Sequence, residues 1–120
     1  MLNLDTHILV ALFLGSVSQE EYGCAAHQRL AISDIVLWEI AKLMQKGRLT
    51  LDLDSPEFQA WRRSLTVIPI TLEIARASTQ LDFSSDPADE IIAATSVVEN
   101  IPLLTRDRRI LKSRIVPFAL

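Results

Sequence analysis

The sequence predicts an α/β domain with a largely parallel central sheet and helices on both faces. Three observations carry that expectation. Short apolar runs alternate with stretches of helical period along the chain. Helix starts are marked by a capping residue followed by proline, at Ser55-Pro56 and Asp86-Pro87. The 120 residues, 49% hydrophobic and 22% charged, suit one globular domain over residues 1–120 and neither two domains nor a disordered chain.

The elements follow in order. Leu2 to Asp5 reads as a short strand. Thr6 onward becomes a helix carrying Ile8, Leu9, Leu12 and Phe13 on one side, stopped by Gly15 and Ser16. Glu20 to Leu30 is expected to be helical, Ala31 to Ser33 a strand. Ser33 or Asp34 caps a helix over Ile35 to Lys46, with Gly47 as its C′ residue. A helix starts at Ser55-Pro56 and runs to about Ser64. Leu65 to Ile70 is a β-rich run. Thr71 caps a helix to about Leu81, and Asp86-Pro87 opens another to Glu99, stopped by Asn100. A strand over Pro102 to Thr105, a short helix over Arg108 to Leu111 and a last strand around Ile115 to Phe118 complete the chain.

Composition narrows the function. The net charge of −3 argues against binding nucleic acid by overall charge alone. Four Phe, two Trp and one Tyr are too few for an aromatic-rich nucleic-acid surface. Cys24 has no partner for an intrachain disulfide, so a reducing, cytoplasmic setting is expected. The apolar run Ile8 to Leu14 is too short to span a bilayer. Asp5 stands where a secretory signal would carry a basic residue, so the run reads as core, with no membrane association.

In a parallel sheet, sites form beyond the carboxyl ends of strands, where the strand order reverses. Four acids fall on that edge. Asp5 ends the first strand, Asp107 follows the fourth, and Asp89 and Glu39 lie in the first and second turns of their helices. Singly, each has an ordinary reading: a turn, a reversed cap after Asp86, a pair with Lys42, a surface loop. Their placement argues otherwise. Glu39 shares a helical line with Ile35, Val36 and Leu43, and Asp89 with Ile92, Ala93 and Ser96. Carboxylates leaning toward a core and toward one another raise each other's pKa, and a divalent cation relieves the conflict. Oxygen donors without His or Cys point to Mg²⁺ or Mn²⁺. The four carboxyl groups are expected within about 4–8 Å of one cation position.

Leu4-Asp5-Thr6-His7, the stretch ISDIVLWEIAKLMQKGRL from Ile32 to Leu49, DPADEIIAATS from Asp86 to Ser96 and LLTRD from Leu103 to Asp107 together resemble the PIN-domain ribonucleases. The chain looks most like the VapC toxins of toxin–antitoxin pairs. The resemblance covers essentially the whole chain. It implies a three-layer PIN-like fold and an acidic Mg²⁺ or Mn²⁺ site at Asp5, Glu39, Asp89 and Asp107. Thr6 and Thr105 match small hydroxyl positions beside that site. It further implies a homodimer and a separate VapB-like antitoxin. Asp86 is assigned mainly to the helix cap. At Glu90, where relatives often carry Arg, the chain departs from the pattern.

The expected chemistry is cation-assisted hydrolysis of RNA phosphodiester bonds. Asp5 and Asp107 are assigned to direct coordination. Asp89 and Glu39 complete the shell or orient water, and Thr105 holds Asp107 or a water. Downstream of Leu104, five basic residues (Arg106, Arg108, Arg109, Lys112, Arg114) face one acid, and Arg106 and Arg108 are expected on RNA phosphates. Arg62 and Arg63 are a second basic patch. His7, His27, Cys24, Trp38 and Trp61 read as structural, surface or interface residues. A partner's Arg or Lys could pair with Asp5 or Asp107 while an apolar segment covers Trp38 and Leu43. The helices over 20–30 and 35–46 are the expected dimer surface.

Rival readings fare less well. An aspartyl-phosphate phosphatase wants a second acid two residues after the first, and His7 stands there. A receiver domain wants paired acids at the first strand, which are absent. A PIN-like RNA- or protein-binding module without catalysis remains the alternative, kept open by Glu90.

Overall fold

The computed structural model describes all of residues 1–120. Its elements are β1 (Leu2–Leu4), α1 (Thr6–Leu14), α2 (Gln19–Ala25), β2 (Leu30–Ser33), α3 (Ile35–Gln45), α4 (Pro56–Arg63), β3 (Thr66–Ile68), α5 (Leu72–Ser78), α6 (Pro87–Glu99), β4 (Leu103–Leu104) and α7 (Arg108–Leu111). The four strands form one parallel sheet in the order β3-β2-β1-β4. The chain steps outward from β1 to β3 and then crosses to the other side of β1, so the strand order reverses between β1 and β4. Both strands end there, at Leu4 paired with Leu104.

Local chemistry sets the element ends. Asp5 accepts the Thr6 N–H at the start of α1, and Gly15 closes that helix at φ 75°. Ser18 and Glu21 form a reciprocal capping box on α2. Ser55 and Thr71 accept N–H groups of Phe58 and Ile74. Asn100 ends α6 in the left-handed region at φ 53°, which Asn tolerates.

Strand alternation then places helices on both faces. Leu2, Leu4 and Ile32 enter the larger core with Ile8 and Leu9 of α1 and Val36 and Ile40 of α3. On the opposite face, Ala31 packs with Ile68, Ile74 and Ala94 under α5 and α6. Asn3, fully buried, donates to the Ile92 carbonyl at 3.2 Å and to Ser96 Oγ at 2.9 Å, tying α6 to the central strand. No helix is long and apolar enough to cross a membrane.

Four expectations of extent differ. The helix expected to reach Leu30 ends at Ala25, because Leu30 pairs with Leu2 as strand and His27 adopts a positive φ of 65°. The run Leu65 to Ile70 forms strand only over Thr66–Ile68, since Pro69 has no N–H to continue the ladder. The helix expected to reach Leu81 stops at Ser78, with Ser78 and Thr79 hydroxyls bonded back to the helix carbonyls of Ala75 and Arg76. In place of a strand over Ile115 to Phe118 there is one parallel bridge, Leu103 with Phe118. The chain before it is held by Asp82, which accepts from Ser113 Oγ and the Arg114 N–H. The helix over 35–46 packs on α6, β2 and α1.

Candidate metal centre

Asp5 follows β1 directly, at the strand-order reversal. It is 1% exposed, and both oxygens are engaged: Oδ1 accepts the Thr6 N–H at 2.8 Å and Oδ2 accepts Thr105 Oγ1 at 2.6 Å. Burial pushes its pKa up, against the lowering by those two hydrogen bonds and by His7. Thr105 lies just past β4, so its hydroxyl spans the two strands. That same oxygen accepts the Asp107 N–H at 3.0 Å.

Glu39 projects from the second turn of α3, and its Oε1 accepts the Thr6 hydroxyl. Burial raises its pKa, and the Asp5 and Asp86 charges add to the rise. Asp89, in the first turn of α6, accepts Ser85 Oγ at 3.0 Å. Burial first, then the charges of Asp5, Glu39 and Asp107, push its pKa up to about 6. Carboxylate oxygens of Asp5, Glu39 and Asp89 lie within 4.8 Å of one another. Three half-buried or buried acids, all raised by burial and two of them further by the Asp5 charge, with no imidazole or thiolate among them, fit a hard divalent cation.

A family model described as PIN domain matches residues 3–114. The chain belongs to the PIN domain family. Ribonuclease VapC22 of Mycobacterium tuberculosis is 28% identical to this PIN domain, covering 92% of it and 90% of the relative. A toxin–antitoxin complex from Klebsiella pneumoniae contains a chain that superposes with a TM-score of 0.70 at 24% identity, over 100% of this chain and 98% of that one. VapBC2 from Rickettsia felis, bound to a promoter DNA fragment, gives a TM-score of 0.67 at 19% identity over 98% and 97%. PAE2754 from Pyrobaculum aerophilum gives 0.65 at 18% identity over 98% and 83%. These likenesses establish the three-layer fold.

The PIN domain brings Asp5, Glu39 and Asp89 together as one group, while Asp107 stands outside it. Asp107 Oδ1 accepts the N–H groups of Arg109 (2.8 Å) and Ile110 (3.3 Å), capping α7, although its charge still reaches Asp5 and Asp89. Thr6 and Thr105 both touch the acids. Arg106 is not a free cation: Nε and Nη2 each bond the Glu21 carboxylate at 2.7 Å. Arg108 is exposed at the start of α7. Asp86, expected mainly as a cap, makes no side-chain cap bond and lines a cleft with Glu39. Glu90 accepts the Ser85 N–H at 3.4 Å. Trp61 packs against Phe13 and Phe58, whereas Trp38 is 53% exposed.

Sequence reasoning missed Ser85 and Asn3. Ser85 precedes Asp86-Pro87 and holds Asp89, a role no local pattern announces. Asn3 did leave a signal, as a lone amide inside the apolar run Leu2 to Leu4.

Proposed function

We propose that this PIN domain is a Mg²⁺- or Mn²⁺-dependent endoribonuclease and the toxin of a toxin–antitoxin pair. The observation that carries the reading is the convergence of Asp5, Glu39 and Asp89 within 4.8 Å at the strand-order reversal. The similarity to Ribonuclease VapC22 of Mycobacterium tuberculosis supports it.

Asp5, Glu39 and Asp89 would hold the cation, and Asp107 would orient water at the edge of the site. A divalent cation held there would supply a more acidic bound water and neutralisation of charge at the phosphate. The chain's own contribution is orientation. Thr105 fixes Asp5 Oδ2, and Thr6 fixes Glu39 while its own N–H holds Asp5 Oδ1. Ser85 turns Asp89 inward. Arg108, exposed beside Asp107, is assigned to an RNA phosphate.

Restraint fits the cleft of about 530 Å³ lined by Trp38, Leu43, Lys42, Glu39 and Asp86. An antitoxin segment would lay an apolar side chain on Trp38 and Leu43 and direct an Arg toward Glu39 and Asp86. A cytoplasmic homodimer is part of the same reading. The deciding experiment is cleavage of total RNA with Mn²⁺, with and without EDTA. Cleavage abolished by EDTA supports the nuclease. RNA binding with no cleavage in any divalent cation would instead identify a non-catalytic PIN module. Induction with and without the neighbouring small open reading frame tests the toxin assignment.

A further inference from the structure

Two clefts meet at Leu43, one lined by Glu39 and the other by His7, two residues after Asp5, and they differ in charge. The first mixes Lys42 and Lys46 with Glu39 and Asp86. The second, about 430 Å³, lies between α1, the turn after α3 and the segment joining β4 to α7. Its ionisable lining is His7, Arg48 and Arg106, with no carboxylate. We propose that this second cleft is a phosphate subsite, holding a backbone phosphate of single-stranded RNA beside the one that is cut. The proposal rests on the ribonuclease reading and deepens it.

Position is the first argument. His7 follows Asp5 and Thr6 on α1 and lines this cleft. Arg106 stands between Thr105 and Asp107. An RNA strand crossing the acid group must carry phosphates away from it on either side. The second cleft sets a phosphate against less negative charge, since the Glu21 carboxylate behind it is already paired with Arg106, whereas the first would set it against Glu39 and Asp86.

The second argument is preorganisation. Arg106 Nε and Nη2 are committed to Glu21, and Nη2 also reaches the Ser16 carbonyl at 3.4 Å. Nη1 makes no hydrogen bond within the chain, so a guanidinium already fixed in orientation lines the cleft with a donor to spare. Its rotamer freedom is lost on folding rather than on binding. Glu21 offsets much of the Arg106 charge, so Arg106 supplies a directed donor and Arg48 supplies net attraction. Arg48 is exposed and makes no ion pair. Val10 and Leu49 form part of the apolar lining beside these cations.

The test uses the full chain carrying Asp5→Asn, to stop cleavage, and a short fluorescein-labelled single-stranded RNA of random sequence. Adding Arg48→Ala should weaken binding about five- to tenfold at low salt. It should also flatten the slope of log affinity against log salt by about 0.7, one phosphate contact on a single strand. Arg48→Glu should lose more and Arg48→Lys should keep the slope; melting temperatures report that all three fold. With Asp5 intact, Arg48→Ala should raise KM for the same RNA. Unchanged affinity, slope and KM in Arg48→Ala, while the unmodified chain cleaves the RNA, overturn the subsite and leave the ribonuclease standing. Neither binding nor cleavage by the unmodified chain sinks the ribonuclease reading and the subsite with it. Intact RNA affinity with lost retention of the neighbouring gene's product assigns the cleft to a protein and overturns the proposal.

Discussion

Thr105 Oγ1 donates to Asp5 Oδ2 at 2.6 Å across one hundred residues of sequence. The bond joins the ends of β4 and β1, the two strands between which the sheet order reverses. It explains how a buried carboxylate is held in place while burial pushes its pKa up. The same hydroxyl receives the Asp107 N–H, so one side chain sets the geometry of two acids.

Replacing Thr105 with Val therefore removes a donor from Asp5 and an acceptor from Asp107 without changing volume. Mn²⁺ affinity, followed by calorimetric titration, should fall about 10- to 100-fold, the range for groups that orient ligands. Thr105→Ser should keep most of the affinity. Equal affinity in Thr105→Val would show that the Asp5 orientation is set elsewhere.

Asp5→Asn should keep the fold, because Asn still accepts the Thr6 N–H and its amide can donate to Thr105. RNA cleavage should drop at least about 100-fold, more than for the loss of an orienting group. In EDTA at neutral pH the variant should melt no lower than the unmodified chain, since it removes a buried carboxylate crowded by like charges. The rise in melting temperature given by Mn²⁺ should shrink or vanish. A marked loss of stability in EDTA would contradict the electrostatic account of the site.

The pH dependence of the cation-free protein follows from the same crowding. Asp89 titrates at about 6 when folded against an ordinary value of 3.8, so between those values the folded state binds the extra proton. Stability then falls as pH rises from about 4 to about 6, and the raised Asp5 and Glu39 act in the same direction. Glu21 acts oppositely: its folded pKa is lowered from 4.5 to about 2, so its contribution is present above 4.5 and lost as pH falls toward 2. Urea midpoints in EDTA should peak near about pH 4–5. Asp89→Asn should reduce the decline above the peak. A cation-free stability that climbs steadily from about pH 4 to 7 would refute the crowding.

Much of this arrangement was legible because it depends on local patterns repeated in order. Caps at Ser55 and Thr71 and the apolar periods placed most element starts within a residue or two. Alternation of strands and helices put Asp5, Glu39 and Asp89 on one edge. Element ends were less legible where pairing decided them, as at Leu30, whose side chain suits either a helix or a strand. The role of Arg106 was not legible either. Its partner Glu21 is 85 residues away, and the five basic residues after Leu104 look equally free in the sequence. Asp107 carries a similar lesson, since the pattern that marks it as a site acid also marks a helix cap.

The Glu21–Arg106 pair yields the last prediction. The Glu21 carboxylate accepts the Ser18 N–H within α2 and two guanidinium bonds from the segment that carries Thr105 and Asp107. Glu21 is nearly buried, but the Arg106 side chain is 47% exposed, so solvent screens the pair. Glu21→Gln keeps an oxygen for the cap and removes the charge, so it should cost only about 1 kcal/mol at neutral pH. Arg106→Gln should cost a similar amount. The double variant should cost little more than either single one, a coupling of about 1 kcal/mol in urea titrations. The coupling should fade below about pH 3, as Glu21 takes up its proton in the folded state. Strictly additive losses at neutral pH would mean that the pair does not tie α2 to the β4–α7 segment in solution.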